Sequence, residues 1–309
     1  MVCAAPPILP PAAIGTGRLR FFQAEPTGKD FSRVMPSALE LSPAVGTTVR
    51  CQVAGFAACC FPPDQLPMLR QKPGPLRAEP LPASLLKHAD DQTVAGVAAV
   101  SRAIHQDGLH DLDYSQWGVI AAPRFLGRAK LAVVLSRFVV EGAWGISPHL
   151  IPHRSQHALS GTISQAMKIH GPNYGVGGGT DSAAEAIMVA GALLADQQLP
   201  GVWVVLTGFD PELVPVEEEP GTAPVPTLPT SDCLAVALAL RPLQQRQRGM
   251  VLSVGAEPAP EPDADWPVFS LETFARHLAD GKPGPARWRL RYGGWTTLEH
   301  ADTAVEICL

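Results

Sequence analysis

The chain has 309 residues, of which 46% are hydrophobic and 17% charged. That is enough apolar material to bury a sizeable core in one large domain or two small ones, and it excludes a disordered polymer. A net charge of −5 lacks the basic footprint of nucleic-acid binding, and apolar runs such as 201–206 and 234–240 are strand-length, too short to span a bilayer.

Residues 1–45 are rich in proline and read as an irregular segment. The opening MVCAAPPILPP has no basic n-region and prolines break its apolar run, so no secretory signal is expected and a cytoplasmic location is. Cys3, Cys51, Cys59, Cys60, Cys233 and Cys308 form no CxxC pair, which fits reduced, mostly buried thiols. Residues 48–60, TVRCQVAGFAACC, read as a buried strand. The stretch 61–85 reads as loop, because proline recurs too often for a helix. Residues 90–107 form an amphipathic helix, with Val94, Val97, Ala98, Ser101 and Ile104 at helical spacing. QWGVIAAP then reads as a strand, 131–141 as a helix, and 156–169 as another with Leu159, Ile163, Ala166 and Met167 on one face.

The stretch from His170 to Ala195, HGPNYGVGGGTDSAAEAIMVAGALLA, has the layout of a strand, a glycine-rich turn and a helix. Ser182 and Glu185 match the S-x-x-E capping box, and Asp181 is a second candidate for the N-cap. Gly177, Gly178 and Gly179 permit positive φ and close backbone approach, and N–H groups at a helix start attract an anion or a developing oxyanion. Tight packing against a neighbouring strand accounts equally well for the glycines. The run lacks the last glycine of G-x-G-x-x-G, no Lys-Ser/Thr pair follows as in a P-loop, and G-x-S-x-G is absent. His153 and His157 are four apart and can share a helix face, but no third ligand motif accompanies them. No metal site and no cofactor is expected.

Farther on, 202–207, 234–240 and 250–254 read as strands, separated by the acidic, proline-rich loops 216–231 and 256–267. A short helix is expected at 271–279. In ARWRLRYGG, Trp288, Leu290 and Tyr292 alternate with Arg287, Arg289 and Arg291, the pattern of a half-exposed strand whose arginine side is a solvated face. Strands alternating with helices argue for an α/β layered fold.

GPNYGVGGGTDSAAEAI resembles the active-site segment of β-ketoacyl synthases, the thiolase-fold condensing enzymes. Other stretches fall in that family's order: ADDQTVAGVAAVSRAIHQDGL, QWGVIAAP, ISPHLIPHRSQHALSGTISQAMKIHGPNY, GVWVVLTGFDPEL and SDCLAVALAL. The resemblance covers about 48–240. It implies an α/β thiolase-like fold, a mixed central sheet between helices, and mainly that fold's N-terminal half. It places an irregular segment at 1–45, a ketosynthase-like N-terminal domain at 46–255, and a linker with a short helix and strand extension at 256–309. The family's nucleophilic cysteine falls on Thr180, and a threonine hydroxyl needs an adjacent base where a thiolate does not. The family's two C-terminal histidine motifs have no match, since His277 and His300 are the only later histidines.

The resemblance therefore implies a ketosynthase-like protein without condensing activity, a partner or scaffold subunit in fatty-acid or polyketide-type biosynthesis, as chain-length factors are. The implied partners are a ketosynthase subunit and acyl carrier protein, with a homodimer or heterodimer built on 156–177. Two alternatives stand beside it. One is an acyltransferase or hydrolase with Thr180 or Ser182 as nucleophile, His153 or His157 as base and the glycine N–H groups as oxyanion hole. The other is a module that binds an acyl, pantetheine or other anionic group at residues 177–180.

Overall fold

The computed structural model describes residues 48–76, 81–82, 84–196, 199–213, 231–244, 249–256, 265–281, 284–291 and 293–301. The proline-rich 1–45, Cys3, Cys308, Tyr292, most of the loop 216–231 and the middle of 256–267 lie outside them. The described residues make one compact unit.

In chain order the elements are β1 (Thr48–Phe61), α1 (Leu66–Gln71), α2 (Asp91–Gln106), β2 (Gly118–Pro123), α3 (Arg128–Glu141), a 3-10 turn (Gly142–Gly145), α4 (Leu150–Arg154), α5 (His157–Met167), β3 (Asn173–Gly175), α6 (Ser182–Asp196), β4 (Val202–Asp210), β5 (Asp232–Pro242), β6 (Gly249–Gly255), α7 (Leu271–Asp280), β7 (Ala286–Arg289) and β8 (Trp295–Ala301). The strands make one eight-stranded sheet in the order β3-β2-β4-β5-β1-β6-β8-β7. The β3-β2-β4 portion is parallel and the rest antiparallel. The fold is thus a mixed sheet between helices, as the sequence implied.

Central strands are buried on both faces, which is why β2 and β4 read as unbroken apolar runs. On one face α2 and α5 pack Val94, Val97, Ile104, Leu159 and Ile163 against Trp203, Val205 and Ala237. On the other, α6 and α7 pack Ala186, Ile187, Ala190 and Phe274 against Ile120, Val204, Leu206 and Leu238. A register shift in β1 between Val53 and Gly55 swaps its faces, so Cys51 and Val53 face the α6 side while Ala57 and Cys59 face α2. Helix α2 is capped by Asp90, whose carboxylate accepts the Gln92 N–H at 3.1 Å.

Within the stretch read as loop, 66–71 is a short helix. Pro67 falls in its first turn, where a missing N–H costs nothing, so its proline does not break it. The strand expected at the start of the 170–195 stretch is short, Asn173–Gly175. The 3-10 turn, α4 and β8 are additional to the elements read from the sequence.

Candidate functional site

Because β2, β3 and β4 run parallel, their carboxyl ends meet at one edge of the sheet, where α/β folds commonly place ligands. The glycine turn after β3 lies there and is tied to its neighbour. Val176 N–H donates to the Ala121 carbonyl at 2.8 Å, and Phe125 N–H donates to the Gly178 carbonyl at 3.1 Å. Phe125 adopts a positive φ of 49°, unusual for an aromatic residue, with the Arg128 guanidinium 4.9 Å above its ring.

The glycines fit a crowded path. Gly177 (φ 74°) packs so closely on Ser182 that an added Cβ would stand 2.5 Å from the serine Cβ, and at Gly178 (φ 131°) it would stand 2.8 Å from Gln156 Nε2. Gly179 meets nothing within 4 Å. Gly177 is therefore required by packing and backbone conformation together, and Gly178 by its backbone conformation.

At the start of α6 the first helical bond runs from Glu185 N–H to the Asp181 carbonyl, 3.0 Å, which makes Asp181 the N-cap and Ser182 the first residue inside the helix. Ser182 is buried, at 2% exposure, under Gly177. Thr180 is exposed, and its hydroxyl donates to Asp181 Oδ2 at 3.4 Å, while Asp181 Oδ1 pairs with Arg291 Nε at 3.1 Å. The positive end of the α6 dipole thus already carries a carboxylate, and an incoming anion would have to displace or repel it. Buried Gln156 Oε1 and Asn173 Oδ1, both near the turn, have no hydrogen-bond partner among the described residues. Acceptors in that position are likewise unfavourable to an anion.

The histidines lie apart from both hydroxyls. His157 is exposed, and its Nδ1 sits 3.1 Å from Ser160 Oγ, in the next turn of its own helix. His153 joins His88 and His149, with ring centroids 5.9 and 6.1 Å away, and His88 and His149 stack at 4.5 Å. Among the described residues no histidine hydrogen-bonds to Thr180 or Ser182, and no group of three or more His, Cys, Asp or Glu side chains is placed to hold a metal ion. Two cavities, of 410 and 150 Å³, are lined by none of Thr180, Ser182, His153 or His157.

Sequence reasoning passed over a polar network beside the turn. Gln92, on α2, accepts from Thr207 Oγ1 at 3.0 Å and donates to the Arg124 carbonyl at 2.8 Å. The Arg124 side chain binds Glu212 at 3.0 Å, Glu272 on α7, and the Phe209 carbonyl. The guanidinium and a backbone hydrogen bond hold the Glu272 carboxyl below its ordinary value against the opposing effect of burial, whereas at Glu212 burial wins and the carboxyl is raised. Arg124 ties the ends of β2 and β4 to α7. The signal for it was an arginine directly after a buried strand, where an ion pair is the usual means of accommodating the charge.

No protein-family model and no curated protein matches the chain. Solved structures give loose likenesses. One is a chain from a complex of a type II PKS acyl-carrier protein with its ketosynthase bound to the hexaketide: 12% identity, 83% of this chain, 100% of that chain, TM-score 0.47. The ishigamide ketosynthase/chain length factor is 12% identical over 81% of this chain and 98% of that one, TM-score 0.48. A β-ketoacyl synthase from Burkholderia phymatum STM815 is 11% identical over 75% and 69%, TM-score 0.43.

Proposed function

We propose that this chain is a ketosynthase-like subunit that does not condense acyl groups itself and acts as a partner of a complete ketosynthase, in the manner of a chain-length factor. One observation carries the reading. The GPNYGVGGGTDSAAEAI segment forms a parallel edge strand, a glycine turn and a buried alanine-rich helix, and at the position where the resemblance puts the cysteine stands an exposed threonine. Its hydroxyl faces a carboxylate already engaged by an arginine. A threonine hydroxyl is a weak nucleophile without a base, and the described histidines supply none. The same geometry disfavours Thr180 or Ser182 as an acyl acceptor, and Asp181 at the helix start disfavours an anion or pantetheine phosphate at residues 177–180.

The test is enzymatic. Purified protein incubated with an acyl-thioester and a malonyl carrier protein is expected to give no condensation product. Adding a complete ketosynthase is expected to give a heterodimer by light scattering, with a changed product length. Robust condensation by the chain alone would refute the proposal.

A further inference from the structure

Helix α3 is weakly anchored. Leu135, Phe138, Val139 and Val140 face solvent, none of its described residues is buried, and apart from the 3-10 turn after it no other described element packs broadly on it. Its attachment is concentrated at its entry. There Phe125 N–H donates to the Gly178 carbonyl, and Leu131 N–H donates to the Gly127 carbonyl at 2.7 Å. Gly127 itself, with φ 66°, lies against the Arg154 side chain, where an added Cβ would stand 2.7 Å from Cδ.

Arg154, on α4, joins that entry to a cluster of imidazoles. Its Nη1 donates to the His153 carbonyl at 3.0 Å and to the His88 carbonyl at 3.4 Å, and its Nε pairs with Asp90 Oδ2 at 3.5 Å. The rings of His88 and His153 lie 5.9 Å apart, with His149 beside both. Cations surround them: Lys87 next to His88, Arg70 from α1, Lys130 from α3 and Arg154 itself. The nearby carboxylates, Asp90 and Asp91 at the start of α2, are already engaged by Arg154, Lys130 and Arg70. On α5, which packs against α4, the one titratable side chain is His157, and its ring is hydrogen-bonded to Ser160 within its own helix.

Loss of solvent, then neighbouring positive charge, lowers His88 and His153 below the ordinary imidazole value. An opened cluster therefore binds protons more readily than the closed one. The closed form is fully favoured above about pH 6.5 and loses ground as pH falls through the lowered values. We propose that His88, His149, His153 and Arg154 form an acid-released clasp on the entry of α3: charging the rings parts α4 from the 84–88 turn, Arg154 gives up the His88 carbonyl, and the Gly127 end of α3 loosens. The clasp thereby controls how α3 presents its apolar side chains. This inference is independent of the ketosynthase-like reading.

The experiment is hydrogen exchange on the full chain, corrected for intrinsic rate and read at 125–131, away from the histidines in sequence. From pH 7.5 to pH 5 the corrected rate is expected to rise, by up to about tenfold per pH unit for each proton that opening takes up. His88→Gln removes an exposed ring while keeping the carbonyl that Arg154 meets, and is expected to flatten the rise. Arg154→Lys keeps a charge for Asp90 but not a guanidinium that reaches both carbonyls, so 147–154 should still respond to acid while 125–131 should not. A rate at 125–131 that ignores pH would overturn the proposal, and so would an acid response there that persists in either variant.

Discussion

Cys60 ends the buried half of β1 with its side chain exposed, which by position alone suggests a reactive thiol. Its chemistry is set otherwise. Loss of solvent around the sulfur, then the hydrogen bond and charge of Asp232 at 3.4 Å, then Asp210, push the thiol up to about 11. At neutral pH almost no thiolate is present, so Cys60 is expected to alkylate more slowly than an unhindered free thiol. Asp232→Asn should speed it by about tenfold for each pKa unit recovered, read by peptide mass spectrometry after timed iodoacetamide treatment at pH 7.5. An unchanged rate would mean that access rather than the carboxylates controls the thiol. At the same scale, the helix start at 181–185 shows where local reading stops. The segment DSAAE offers Asp181 and Ser182 as caps with equal logic, and a shift of one residue decides between an exposed hydroxyl and a buried one. The deciding contact, Gly177 on Ser182, lies across a turn whose path the letters do not give.

Elements with one clean period were legible: α2, α5, α6, α7 and strands β1, β2, β4, β5 and β6 all lie where the pattern of apolar residues put them. β8 was not, and its side chains say why. Trp295, Thr297 and Glu299 lie on one face of the strand and Thr296 and Leu298 on the other, so a buried indole shares its face with a half-buried threonine and glutamate while a buried hydroxyl accompanies the leucine, and no apolar alternation results. α4 is five residues long, too short for a helical period, and is held by contacts distant in sequence. Its His153 meets, at a tilt, His149 and His88 from the 84–88 turn, while Lys87, Arg70 and Arg154 add positive charge nearby. Loss of solvent and then the neighbouring histidine charges lower His88 and His153 below the ordinary imidazole value. The unfolded chain therefore takes up protons first. The stabilising contribution is complete above the unfolded value of about 6.5 and is lost as pH falls through the lowered folded values. Hydrogen exchange in 147–154, corrected for intrinsic rate, is expected to quicken markedly between pH 7.5 and 5, and His149→Asn should flatten that response. An exchange rate independent of pH over this range would remove the cluster from any such role.

At the scale of the whole molecule the two ends of the sheet differ. β7 closes one edge, and the backbone of Arg289 there is already bonded on its outer side, its N–H to the Pro267 carbonyl at 2.9 Å and its carbonyl to the Phe269 N–H at 2.8 Å. β3 ends the other with no such guard. Val176 N–H is bonded inward to Ala121, so by strand alternation the outward donors are Asn173 and Gly175. A proline at 176 would test the β2-β3 pairing rather than the free edge. Gly175 has to be glycine, because a Cβ would stand 2.3 Å from the Gln156 carbonyl. Tyr174 beside it is 45% exposed. At the same end, α5 packs on β3, α4 packs on α5, and Gly127 at the entry of α3 lies against Arg154 of α4. Helix α3 and the following turn expose Leu135, Phe138, Val139, Val140 and Trp144, the last at 99%. An open edge and an apolar helix at one end of a molecule are the makings of an interface. Association through this end is the expected outcome, with a second copy or with a complete ketosynthase. Val139→Asp combined with Trp144→Ser removes two exposed apolar side chains, at about 1.5–3 kcal/mol each if both are buried on association, so a dimer should weaken by two or more orders of magnitude. Sedimentation equilibrium across the micromolar range measures this directly. A dimeric mass that survives both substitutions would place the interface elsewhere, and a monomeric wild type that also fails to shift the mass of a complete ketosynthase would leave this end without a partner.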